Sequence, residues 1–156
     1  MSEKIAIVGG GAAGFFAAIT CAEANPAKQV SIYERGPEFL TKVRISGGGR
    51  CNVTHACFEA RAMSERYPRG NRALISPLHR FSASDTIAWF EERGVRLKTE
   101  EDGRIFPVTD SSQTIIDCLI NAATAGGVRL FARKGVNAVD RQAHGFALKF
   151  TGGAIA

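Results

Sequence analysis

The 156-residue chain is long enough for one domain with a sizeable core, and 45% hydrophobic with 22% charged residues is ordinary for a soluble globular protein. It has no run of about 18 apolar residues, which excludes a membrane helix. The net charge of +5 fits either a nucleic-acid partner or a basic surface that attracts anionic cofactors; the positive residues, many between Arg35 and Arg80, are scattered without the aromatic interleaving of single-strand binders, which favours the second.

The N-terminal Met1-Ser2-Glu3-Lys4 runs directly into an apolar stretch, leaving no room for a signal peptide, so a cytoplasmic location is expected. Ile5-Ala6-Ile7-Val8 predicts a strand. Gly9-Gly10-Gly11-Ala12-Ala13-Gly14 follows, then a segment with helical spacing at Phe15, Phe16, Ile19 and Ala22. Val30-Ser31-Ile32-Tyr33 is a second strand and ends on Glu34. Strand, glycine turn, helix, strand and acid stand in the order and spacing of a dinucleotide-binding βαβ unit. Gly9 allows the sharp exit from the strand. Gly11 lets a pyrophosphate approach the backbone, and Gly14 lets the helix pack close to the sheet. The helix start, through Ala12 and Ala13, aims unpaired N–H groups at the phosphates. Glu34, at the tip of the second strand, is placed to accept hydrogen bonds from ribose hydroxyls.

Beyond Glu34 comes Arg35-Gly36-Pro37, and then Lys42 to His55, which contains Ser46-Gly47-Gly48-Gly49-Arg50-Cys51-Asn52. Three consecutive glycines cost backbone entropy and build no core, so they suit backbone lying against a flat or charged ligand. Lys42 and Arg50 flank them and would meet phosphate or an electron-rich ring edge. A flexible surface loop is the plainer alternative. Residues 71–80 predict a short helix interrupted by Pro77. Ser82 and Asp85 form an N-cap pair for a helix carrying Ile87, Trp89 and Phe90 and ending at Gly94. Val95 to Thr99 and Arg104 to Pro107 predict a hairpin turning at Asp102-Gly103. Ser111 or Ser112 caps a helix with Ile115, Ile116, Leu119, Ile120 and Ala123 inward. Val128 to Phe131 predicts a third parallel strand, and Gly135 to Val139 with Phe146 to Phe150 a small antiparallel meander.

The cysteines carry no clear chemistry. Cys21 and Cys118 lie in helical patterns as small hydrophobes. Cys51, His55 and Cys57 lack a second pair for zinc, and a Cys-x5-Cys spacing does not match the Cys-x4-Cys redox pair of disulfide reductases. His79 and His144 are isolated, and no catalytic residue is singled out.

The glycine fingerprint, Glu34 and Lys42 to Asn52 together resemble the HI0933-like (BaiN-type) family of flavoproteins, whose members carry Lys-x-x-Ile-Ser-Gly-Gly-Gly-Arg-Cys-Asn shortly after the acid. Gly103-Arg104-Ile105-Phe106-Pro107 with Ser111-Ser112 is similar to a second family block. Arg44 departs, standing where an apolar residue is common. The resemblance spans the chain and implies an α/β, Rossmann-like FAD-binding domain, βαβ with a parallel sheet, plus a helix-hairpin excursion at about 58–110 and the meander. It implies FAD as cofactor, held by Gly9, Gly11, Ala12, Ala13, Gly14, Glu34, Arg35, Lys42, Ser46, Gly47, Gly48, Gly49, Arg50, Cys51 and Asn52. Val136 joins them by analogy with two-dinucleotide-fold flavoproteins, where that position offers its backbone to the adenine. It further implies NAD(P)H as electron donor and reduction of a C=C bond conjugated to a carbonyl in a small-molecule substrate. Family members are longer, so residues 1–156 are expected to be a FAD-binding domain incomplete at the C-terminus, without the substrate domain. Two alternatives stay open: reduction of a base in RNA, and a module that holds a dinucleotide without turnover.

Overall fold

The computed structural model describes residues 3–152. In chain order the elements are β1 (Lys4–Val8), α1 (Ala12–Ala24), β2 (Gln29–Tyr33), α2 (Thr41–Ile45), a 3-10 turn (Ser46–Gly49), β3 (Thr54–His55), α3 (Ala60–Glu65) and α4 (Asn71–Arg80). There follow α5 (Ala83–Glu91), β4 (Leu97–Thr99), β5 (Arg104–Pro107), α6 (Ser112–Ala125), β6 (Arg129–Phe131), β7 (Val136–Gln142) and β8 (Gly145–Phe150). The chain divides into two compact units, one of residues 3–42 and 119–152, the other of residues 43–118. No helix among the described residues is long and apolar enough to cross a membrane.

The first unit is built on a parallel sheet in the order β1-β2-β6, with Ile5 opposite Val30 and Ile32 opposite Leu130. β2 is the central strand. Its Val30, Ser31 and Ile32 are all buried, as expected of a parallel strand covered on both faces. α1 packs against β2 with Phe15, Ala18, Ile19 and Ala22 inward, three of them with no accessible surface. Each large apolar side chain buried this way contributes about 1.5–3 kcal/mol. The third parallel strand expected after α6 is β6, on the far edge of β2. β7 and β8 form an antiparallel hairpin, longer than the sequence suggests, with a bulge between Val136 and Ala138. Tyr33 stacks on Phe131 with ring centroids 5.1 Å apart and meets Phe150 at 5.0 Å, which ties the hairpin to the sheet.

The second unit holds a three-stranded antiparallel sheet, β3-β5-β4. The hairpin predicted at Asp102-Gly103 is its β4–β5 half, and β5 buries Ile105, Phe106 and Pro107. β3 is an addition that no sequence pattern announces, because two residues carry no periodicity. β4 is shorter than predicted. Val95 is buried and closes α5 instead: its amide donates to Phe90 O and the amide of Gly94, at φ +80°, donates to Glu91 O, the Schellman pattern. At the other end of α5, Ser82 and Asp85 cap each other's backbone amides reciprocally, as predicted. The expected interruption of residues 71–80 does not occur: α4 runs through Pro77. A proline there removes the amide that would bond Ala73 O, a loss that is tolerable because Ala73 is exposed to solvent.

Candidate cofactor site

The chain leaves β1 at Gly9, whose φ of +102° suits glycine, and the Gly9 amide donates to Tyr33 O at 2.9 Å. A Cβ on Gly14 would collide with Gly9 O, so α1 begins hard against this turn only because residue 14 has no side chain. Gly11 is different. Nothing lies within 4 Å of where its Cβ would be, and Gly11, Ala12 and Ala13 are exposed. Gly11 caps α1 without any side-chain hydrogen bond. The first-turn amides and the positive end of the helix dipole therefore face open space, an arrangement that accepts an anion.

Gly10, which the sequence reading passed over, supports this turn from behind. A Cβ there would strike the Phe39 ring and come within 3.1 Å of Glu34 Cβ. Its carbonyl accepts from the amide of Leu40 at 2.8 Å, with Leu40 buried at φ +57°. Its own amide donates to Glu34 Oε2 at 2.8 Å, and Gly36 N donates to Glu34 Oε1 at 2.7 Å. The amides of Gly36 and Gly10 hold the Glu34 carboxyl below the usual carboxylate range, so it is ionised at neutral pH. Each oxygen accepts one amide, and a carboxylate has about four acceptor sites, which leaves capacity for hydroxyl donors. The backbone of Glu34 is fixed as well: its amide donates to Phe131 O and its carbonyl accepts from Lys134 N, both at 2.8 Å. A Cβ on Gly135 would stand 3.1 Å from Arg35 Cβ. The first unit thus brings together the fingerprint, Glu34, Arg35 and the start of β7 at Val136. Lys42 is exposed on α2.

The remaining predicted residues lie in the second unit. Gly47, Gly48 and Gly49 have φ of +57°, +69° and +86°, and Cys51 has +63°. Gly47 is required by packing, since its Cβ would stand 2.8 Å from both Asn52 N and the Phe106 ring. Gly48 has nothing within 4 Å, and the nearest atom to Gly49 is Arg44 O at 4.0 Å. Cys51 is buried and its amide donates to Ser46 O at 2.9 Å. Burial pushes its thiol pKa up, which disfavours the thiolate. With its amide nitrogen turned towards the sheet, Asn52 donates to Thr54 O at 2.8 Å and Ile105 O at 3.3 Å.

Arg50, assigned from sequence to a phosphate or ring edge, lies 4.0 Å over the Phe106 ring and pairs with Glu100 at 2.5 Å and Asp110 at 3.5 Å. Neither carboxylate was legible as its partner, because each lies 50 or more residues away and β5 must fold to bring them close. The departure at Arg44 is accommodated outward: Nη1 donates to Gln113 Oε1 at 2.9 Å, and Arg44 O accepts from the Ser112 hydroxyl. His55 lies against Gly103, its Nε2 3.1 Å from Asp102 O. Among the described residues no group of three or more His, Cys, Asp and Glu side chains gathers as a metal site would.

The profile of the HI0933-like protein Rossmann domain matches residues 3–156. The chain belongs to the HI0933-like family. Its curated relatives include a 3-dehydro-bile acid delta(4,6)-reductase from Clostridium scindens, 29% identical over 150 residues, which covers 96% of the chain and 36% of the relative. A ribosomal RNA dihydrouridine synthase from Escherichia coli is 32% identical over 146 residues, covering 94% and 35%. The HI0933-like chain described here thus spans about a third of the length of these relatives. Among solved structures, Thermovibrio ammonificans THI4 superposes with a TM-score of 0.59 at 15% identity, over 96% of this chain and 47% of that one, a likeness of fold. Family and architecture together support a FAD-binding Rossmann portion of an oxidoreductase.

Proposed function

We propose that this HI0933-like chain binds FAD and that the longer protein reduces a C=C bond conjugated to a carbonyl, with electrons from NAD(P)H. The observation that carries the reading is the uncapped, exposed start of α1 beneath an empty Gly11 position, with ionised Glu34 hydrogen-bonded behind it. In this reading Gly9 to Gly14 receive the pyrophosphate, with Ala12 and Ala13 offering amides and Gly14 holding the helix close. Glu34 orients the adenosine ribose, Arg35 flanks it, and the backbone at Val136 faces the adenine. Lys42, Ser46, Gly47, Gly48, Gly49, Arg50, Cys51 and Asn52 are assigned to the cofactor on the family resemblance. For Gly48 and Gly49 the open space at their Cβ positions adds physical support; Gly47, Arg50 and Cys51 act through the loop's shape. The chemistry that reduced FAD would supply there is a hydride for the alkene carbon β to the carbonyl, with a proton completing the α carbon.

The same chemistry covers a second substrate. In uracil the C5=C6 bond is conjugated to the C4 carbonyl, so a base in RNA is a conjugated alkene of the same class. The ribosomal RNA dihydrouridine synthases at 32% and 30% identity favour this second reading as much as the bile-acid reductase at 29% favours the first. The test is anaerobic bleaching of protein-bound flavin by NADH or NADPH, followed by reoxidation with a steroid 4-en-3-one or with uridine-containing RNA. Reoxidation by either acceptor supports reduction and selects the substrate. A flavin that no nicotinamide donor bleaches would leave a dinucleotide-holding module without turnover.

A further inference from the structure

We propose that the α3–α4 helical hairpin is a docking surface for single-stranded or looped RNA. This rests on the RNA-base reading of the proposed function. Residues 58–81 carry five arginines against two glutamates. Arg61, Arg66, Arg69, Arg72 and Arg80 are all exposed. In the same unit Arg50 and Arg104 are paired with carboxylates, whereas no ion pair holds these five among the described residues. Two exposed rings accompany them, Phe58 just ahead of Arg61 at 56% and Tyr67 between Arg66 and Arg69 at 43% exposure, so over this short segment the charge is less bare of aromatics than the sequence as a whole suggests.

The local fold explains why this charge is outward. α3 and α4 pack on each other across the short connection of residues 66–70. Leu74, Ile75 and Leu78, at helical spacing, are half-buried on the inner stripe of α4. Arg72 and His79, seven residues apart, fall on one outer stripe. No residue of α4 is fully buried, so its apolar surface does not account for the helix by core packing alone. The helix is about 15 Å long at 1.5 Å per residue, room for several nucleotides of backbone.

The chemistry favours RNA over other anions. Guanidinium groups bind phosphates, and exposed rings beside them stack on unpaired bases. A helix lying on anionic lipid would need its apolar stripe free, and here Leu74, Ile75 and Leu78 are already half-buried. An acidic protein partner would need a contiguous apolar centre, which two rings separated by arginines do not make.

The test uses a labelled hairpin RNA with a uridine-rich loop, read by fluorescence anisotropy without any electron donor. The variants are Arg61→Gln/Arg69→Gln/Arg72→Gln and Phe58→Ala/Tyr67→Ala; Arg66→Gln/Arg80→Gln carries the charge test should the first set not fold. The triple charge variant is expected to lose about tenfold or more in affinity, with the slope of log affinity against log salt reduced by roughly 2, from ~0.7 per lost phosphate contact. The aromatic variant should weaken binding with the slope unchanged. Wild-type affinity in both variants would overturn the proposal, as would equal binding of polyglutamate or phosphatidylserine vesicles with the same losses. Flavin bleaching is read separately: bleaching and enone reduction by a wild type without RNA affinity would overturn the docking surface and leave the reduction standing.

Discussion

At the scale of single residues, Gly11 and Gly14 separate cofactor binding from folding. Alanine at Gly14 drives a methyl group into Gly9 O, an overpacking that costs about 1–3 kcal/mol, so both the apoprotein melting temperature and FAD retention should fall. Alanine at Gly11 meets nothing in the apoprotein, so FAD affinity should drop about tenfold or more with the melting temperature nearly unchanged, as expected where backbone must approach a pyrophosphate. Equal effects of the two variants on both measurements would refute these roles. Glu34 carries a pH signature. Its folded pKa is lowered by Gly36 and Gly10, so its stabilisation is fully present above the unfolded value of about 4.3 and is lost as pH falls through the folded value. Wild type should therefore melt above Glu34→Gln at neutral pH, with the gap closing in acid. A gap that stays constant into acid, or widens there, would show that the carboxylate is not what holds the turn.

At the scale of elements, the legible parts were those with a strong repeating cause. β1, α1, β2 and β6 follow from apolar runs, helical spacing and a glycine turn, and the capping pair of Ser82 and Asp85 reads directly as the start of α5. β3 was hidden because two residues have no pattern, and the backbone path through Leu40 and Cys51 was hidden because neither residue type signals a left-handed conformation. Gly10 was obscured by its neighbours: in a run of three glycines, only the packing of Phe39 and the bond to Glu34 show what the middle one does. The triple-glycine turn was read as ligand-facing backbone, and its geometry divides that reading. Gly47→Ala should destabilise the second unit through Asn52 and Phe106. Gly48→Asn, which tolerates the left-handed region, should leave unfolding by denaturant nearly unchanged and weaken FAD binding. A Gly48→Asn protein with wild-type FAD affinity would reduce the turn to a purely structural element.

At the scale of the whole molecule, family membership and fold converge on a dinucleotide, and the chain spans about a third of the enzymes it resembles. A net charge of +5 suits an anionic cofactor as well as RNA, so charge alone does not choose between an enone and an RNA base as substrate. Salt dependence does: affinity for a neutral enone responds weakly to salt, while phosphate contacts along an RNA respond steeply. The central claim is that this chain holds FAD through the fingerprint and Glu34. Its most direct test is a titration of the purified chain with FAD, with the bound cofactor released and identified by mass, beside the Gly11→Ala variant. The account predicts equimolar FAD on the wild type and marked loss on the variant. Selective retention of NAD, or FAD bound equally by both proteins, would contradict it.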